Sequence, residues 1–196
     1  MTRNRRCIEV RASRVHNRRM FFKGAAFLLL RLTVVIYNSE AVPPADLAHG
    51  EAVAGEILRQ AGIEMHWRTA SSADLFPAAD EIPLHFLAWR PPNLSPDASG
   101  FATLMPEGSY AGVSYPAVKR IAASLQADES LLLGTVIAHE VGHILLRSRS
   151  HSANGIMVTH LGPREIQAAR RGELLFLRPE AQRIRAEAVR RTTASR

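Results

Sequence analysis

Apolar and polar positions along the chain fall into short runs of period two and longer runs near period 3.6. Leu32-Thr33-Val34-Val35-Ile36-Tyr37 is β-branched and aromatic, which predicts a first strand. Val42-Pro43-Pro44 makes a turn, with Pro44 suited to the first turn of a helix. Leu47, Val53, Ile57 and Leu58 then follow helical spacing up to Gly62, a residue fitted to a helix C-terminus. Ile63 to Trp67 predicts a second strand, residues 69–81 a loop, and Ile82 to Ala88 a third strand with Leu84, Phe86 and Ala88 on one face. A loop from Arg90 to Gly100 precedes two short strand-like pieces, Phe101 to Met105 and Ala111 to Tyr115, joined through Pro106-Glu107-Gly108. Leu131 to Arg147 is the strongest helix, apolar at Leu132, Leu133, Val136, Ile137, Val141, Ile144 and Leu145. A polar loop leads to Gly155-Ile156-Met157, and from Pro163 a helix of Arg, Glu and Ala follows, broken near Pro179. Strands that mostly precede the late helices predict an α+β fold, a single domain with a twisted mixed sheet packed on helices.

Length agrees with this, since 196 residues suffice for one domain with its own core. Apolar content of 46% and charged content of 22% are ordinary for a soluble globular chain. The net charge of +7 is uneven: residues 1–31 carry nine Lys/Arg and one acid, residues 164–196 nine Arg and four Glu, and the stretch between is mildly acidic. Basic ends without interleaved aromatics or a nucleic-acid motif read as solvated tails, so no specific nucleic-acid partner is expected. The division is a basic N-terminal extension over 1–31, then a domain over 32–196 whose C-terminal helices begin at about 163. Within the extension, Arg18-Arg19-Met20-Phe21-Phe22-Lys23 resembles a twin-arginine export signal with an apolar stretch from Gly24 to Leu30 behind it. Against export, Arg31 splits the apolar run, and cleavage after Ala41 would discard the predicted first strand. The balance falls on a cytoplasmic protein, with export as the alternative. No uninterrupted apolar run approaches the ~18 residues of a membrane span, so no transmembrane segment is expected.

Cys7 is the only cysteine, which excludes an intramolecular disulfide and a thiolate metal cluster. A metal must therefore be held by His, Asp or Glu. His139-Glu140-Val141-Gly142-His143 supplies the pattern: two histidines four apart project from one helix face and can grip one ion. Glu140 lies about 100° further round, off the metal but within reach of its water. The expected chemistry is hydrolysis at a single catalytic zinc, which brings the pKa of its water to about 7. Glu140 then takes the proton as general base and returns one to the leaving amine. The flanks, Val136-Ile137-Ala138 and Ile144-Leu145-Leu146, mark a buried helix, where ionisable residues need partners. A third ligand is available from His151 in the loop directly after the helix, from Glu165, or from His160.

Residues 136–157 look like the metzincin metallopeptidases, the superfamily of matrixins and astacins. The resemblance implies that His139, His143 and His151 ligate zinc and that Glu140 is the base. It also implies that Met157, the methionine of a turn, forms an apolar floor beneath the imidazoles. Two departures stand out. Leu146 occupies the position of the family's glycine, and the third histidine comes two residues late, with Arg149 in its usual place. Without that glycine the helix is expected to run on, while the longer loop Arg147-Ser148-Arg149-Ser150 brings His151 back. The family also binds peptide or protein substrates along an edge strand, which would be Phe101 to Met105 or Ala111 to Tyr115. Glu165 as third ligand would instead indicate a different zinc-peptidase superfamily. A non-catalytic zinc-containing binding protein is the remaining alternative, opposed by Glu140, because a structural zinc site needs no base and fills its fourth position.

The other candidates read as structural. His66 and His85 fall within predicted strands, and His16 and His49 have no constellation around them. Trp67 and Trp89 read as packing residues, and Tyr110 and Tyr115 as plain strand positions, with polarisation of an oxyanion as their alternative.

Overall fold

A computed structural model describes residues 30–195, apart from 72–73, 75–76, 90–91, 93–94, 96–97 and 106–107. The twin-arginine-like segment, Cys7 and His16 lie outside the described residues. Among the described residues, five strands and five α-helices follow in the order β1 Leu30–Tyr37, α1 Pro44–Gln60, β2 Ile63–Thr69, β3 Glu81–Leu87, β4 Gly100–Thr103, β5 Tyr110–Ser114, α2 Tyr115–Leu125, α3 Glu129–Leu146, α4 Pro163–Arg170 and α5 Arg178–Ala194. The sheet runs β2-β1-β3-β5-β4, parallel except for β4, which pairs antiparallel with β5. This is the mixed sheet packed on helices that the pattern predicts. β1 starts two residues earlier than expected and sits between β2 and β3, so the β-branched run builds an interior strand of the sheet.

The stretch after β5 departs from the sequence reading. Tyr115 does not end a strand; it opens α2, whose N-terminus is capped by the Ser114 hydroxyl accepting from the Ala117 N–H at 3.4 Å. Ser at the N-cap with Pro116 in the first turn is a helix start signal, and Val118, Ile121, Ala122 and Leu125 follow it at helical spacing. The β-branched and aromatic residues just before it masked the signal.

α3 is apolar on nearly every side because it lies at the centre of the layer, in contact with α1, α2, α4, α5, β4 and β5. Leu132, Leu133, Ile137, Ile144 and Leu145 are buried, each contributing about 1.5–3 kcal/mol of hydrophobic stabilisation. Its 18 residues are long and apolar enough to cross a membrane, yet 83% of it is buried within the domain, as in a core helix.

The basic C-terminus is not the solvated tail its charge predicts. α5 crosses the end of the layer where α1 and α3 finish and β3 begins. Its Arg183 donates to the Leu146 carbonyl at 2.8 Å, Arg185 to the Ala61 carbonyl at 2.9 Å and Arg191 to the Ala79 carbonyl at 3.2 Å. Helix ends leave carbonyls such as those of Leu146 and Ala61 unpaired, and long guanidinium side chains satisfy them. Buried Glu187 in turn binds both Arg190 and Arg191.

Candidate metal centre

α3 begins where Asp128 accepts the Leu131 N–H at 2.8 Å and ends at Leu146, so it does not run on. Arg147 takes the left-handed conformation at φ 49°, and the Ser148 N–H returns to the His143 carbonyl at 3.2 Å. A side chain in that conformation costs roughly 1–2 kcal/mol, which is why glycine is usual there. Here Arg147 makes the turn one residue after Leu146, and the Ser148 N–H folds the loop back onto the last turn of the helix.

That turn brings three imidazoles together. One ligand atom from each of His139, His143 and His151 lies within 4.8 Å of the others, and the ring centroids stand 4.7–5.3 Å apart. His139 Nδ1 lies 2.8 Å from the Ile156 carbonyl, and His143 Nδ1 lies 2.7 Å from the Ser148 carbonyl. A carbonyl only accepts, so each Nδ1 carries the hydrogen and each Nε2 keeps its lone pair. The two Nε2 atoms face each other at 3.0 Å. Lone pairs so close repel unless a proton or a metal cation lies between them. Burial disfavours the proton: it holds His139 down to about 4, helped by the neighbouring imidazoles, and lowers His143 as well. A cation is left as the better partner. Nitrogens ~2.0–2.1 Å from a tetrahedral zinc would stand about 3.3 Å apart, close to the 3.0 Å between these two Nε2 atoms.

Glu140 is buried at 6% exposure, and that burial pushes its carboxyl up to about 8. It makes no hydrogen bond with the described residues, so its proton affinity is set by desolvation alone until positive charge stands beside it. Gly100 at the start of β4 gives it room, since a Cβ there would lie 2.7 Å from Glu140 Oε1. Beneath the helix, Gly142 plays the same part for Met157 and Phe176: a Cβ would meet Phe176 Cε1 at 2.6 Å and Met157 Sδ at 2.8 Å. Gly142→Ala is accordingly expected to cost about 1–3 kcal/mol through overpacking. Thermal melting of the variant should fall by several degrees, and an unchanged melt would contradict this packing.

The histidines and Glu140 line a cleft of about 620 Å³, whose other walls include β4, the α2 residues Ile121 and Leu125, and residues 158–161. The remaining candidates are occupied elsewhere or lie outside the cluster. Glu165 accepts the Gly162 N–H at 3.0 Å, capping its own helix, and His160 is exposed on the cleft wall. The Tyr115 hydroxyl bonds Asp46 at 2.6 Å, and Tyr110 packs edge-on to His85, which stacks on Tyr37 at 4.4 Å. His49 Nδ1 pairs with Ser130 Oγ at 2.7 Å, tying α1 to α3. Trp67 packs partly buried against the core, as predicted, whereas Trp89 is 59% exposed and is not a packing residue. Gly100, Phe176 and the supporting carbonyls of Ser148 and Ile156 carry no sequence signal, because their contribution is a missing side chain, a ring or backbone.

No protein-family model matches the chain, and no curated protein sequence does. Solved structures do align with it. A zinc-dependent peptidase from Methanocorpusculum labreanum aligns over 78% of this chain and 99% of its own, at 16% identity and a TM-score of 0.50. Archaemetzincin from Methanopyrus kandleri aligns over 84% of this chain and 98% of its own, at 15% identity and a TM-score of 0.46. Metalloproteinase-II from Bacteroides fragilis aligns over 82% of this chain and 54% of its own, at 12% identity and a TM-score of 0.48. The chain thus has the fold of the first of these, a zinc-dependent peptidase structure, with a histidine cluster able to coordinate a metal ion.

Proposed function

We propose that the protein is a zinc-dependent peptidase, metzincin-like in its site, in which His139, His143 and His151 hold the metal and Glu140 is the general base. One observation carries the reading: three imidazoles converge beside a buried carboxylate without a hydrogen-bond partner among the described residues, on the wall of a cleft. A set of neutral imidazoles without thiolate suits zinc, which when bound supplies Lewis acidity, making water acidic near pH 7 and polarising a carbonyl. Glu140 accepts the proton released by the attacking water and delivers it to the departing amine nitrogen. Its buried setting suits a carboxylate that must hold a proton between those two steps. The Nδ1 bonds to the Ile156 and Ser148 carbonyls orient two rings and fix their tautomers. β4 is the antiparallel edge of the sheet, so an extended peptide can add to it as a further strand and lay its backbone across the cleft. Met157 and Phe176, packed at Gly142, form an apolar floor that keeps water from the far side of the imidazoles.

The test is digestion of a broad peptide library by the purified full chain, read by mass spectrometry before and after metal removal with a chelator. Cleavage that disappears on chelation is the expected result. A folded, zinc-loaded protein that cleaves nothing would overturn the peptidase reading.

A further inference from the structure

Of the three clustered histidines, His151 is the least constrained. His139 and His143 ride on a buried helix and are each tied through Nδ1 to a carbonyl. His151 is exposed, sits on the loop after α3, and its ring has no hydrogen-bond partner among the described residues. Its place therefore depends on the backbone on either side of it.

That backbone is gripped from both sides by one face of α5. Glu180 and Arg183 are three apart on this helix, so they lie on the same face. Arg183 donates to the carbonyl of Leu146, where α3 stops and the loop departs. Glu180 accepts from the hydroxyl of Ser152, the residue next to His151, where the loop returns. Glu180 is buried at 8% exposure, and its second oxygen takes the Leu177 N–H at 2.7 Å, which anchors the carboxylate to the start of α5. Ser152 is fixed again through its own N–H to the Met157 carbonyl at 2.7 Å. Residues 147–151 are thus held at their two ends by side chains of a C-terminal helix, in addition to the backbone bonds of Ser148 to His143.

We infer that α5 is a clamp for the third metal ligand, with Glu180 and Arg183 as positioning residues that act through the loop backbone to hold His151 against His139 and His143. The inference rests on His151 being a zinc ligand. It also accounts for a metal site in which the third histidine comes late and no glycine turns the helix: the longer loop is held by contacts from outside it. A ligand that must be gathered from a free loop spends part of its binding energy on ordering that loop, so loosening the clamp weakens the metal.

The test measures zinc affinity of the full chain by competition with a chromogenic chelator, alongside melting of the metal-free protein. Outer partners of metal ligands typically change affinity by about 10–100-fold. Ser152→Ala, which removes one hydroxyl, is expected to weaken zinc about tenfold while the metal-free melt barely moves. Ser152→Thr, which keeps the hydroxyl, is expected to restore it. Glu180→Gln and Arg183→Met are expected to weaken zinc at least as much. The cobalt-substituted Ser152→Ala protein should also lose visible absorption intensity as a ligand detaches from a four-coordinate site. Should Glu180→Gln not fold, the Ser152 pair decides the matter alone. Unchanged zinc affinity in Ser152→Ala overturns the clamp while leaving the peptidase reading intact. A parent protein that binds no zinc overturns both.

Discussion

Glu140→Gln is expected to keep zinc within a few-fold of the parent affinity and to lower peptide hydrolysis by about 10²–10⁴-fold, the usual worth of a positioned acid–base group. The amide is close in size and shape to the carboxylate, so the contact with Gly100 and the packing of α3 should survive. What disappears is the capacity to take a proton from water and hand it to an amine. The substitution also removes the one acid of the cleft, among the described residues, whose proton affinity burial has raised. Comparing single-turnover hydrolysis with metal content in parent and variant checks it. Equal rates in the two proteins would remove Glu140 from the reaction, and lost zinc would make it a ligand.

His151→Ala is expected to weaken zinc by more than the about 10–100-fold typical of an outer partner, because a ligand itself is removed. Glu165→Ala should leave zinc affinity unchanged and cost about 0.5–2 kcal/mol of stability, since Glu165 caps α4 through the Gly162 N–H. His160→Ala should likewise spare the metal, since His160 lies on the cleft wall outside the three-histidine cluster. Chelator competition on the three variants reads all of this directly. If Glu165→Ala strips the metal while His151→Ala retains it, the ligand set proposed here is wrong, and the chain belongs with zinc peptidases that use a glutamate.

The parts of this site legible in sequence are those where one residue type does one job at fixed spacing. His139 and His143 could be read as a pair because helical periodicity alone aligns them, and the sheet could be read because its strands are β-branched runs bounded by turns. His151 was harder, since its place depends on a loop rather than a period. The turn that returns it is made by Arg147 in a left-handed conformation that glycine normally takes. α2 is hidden in the sequence because Tyr115 ends a strand-like run and begins a helix at the same point. The role of the C-terminal arginines was hidden for a different reason. A basic helix rich in Arg and Glu looks solvated in sequence, and only the fold reveals that its guanidinium groups face carbonyls at Leu146, Ala61 and Ala79. Gly100 and Gly142 contribute by the absence of a side chain, which no pattern of residue types reports.

A metal titration tests most directly the proposal that one zinc ion held by the three histidines supports peptide hydrolysis. The metal-free protein receives zinc in fractions of an equivalent while cleavage of a peptide chosen from the library is followed. Hydrolysis is expected to rise linearly and to level off at one equivalent per chain, with the His151→Ala protein needing a large excess. Hydrolysis that is already complete without metal, or that stays absent after one equivalent has bound, would contradict the account.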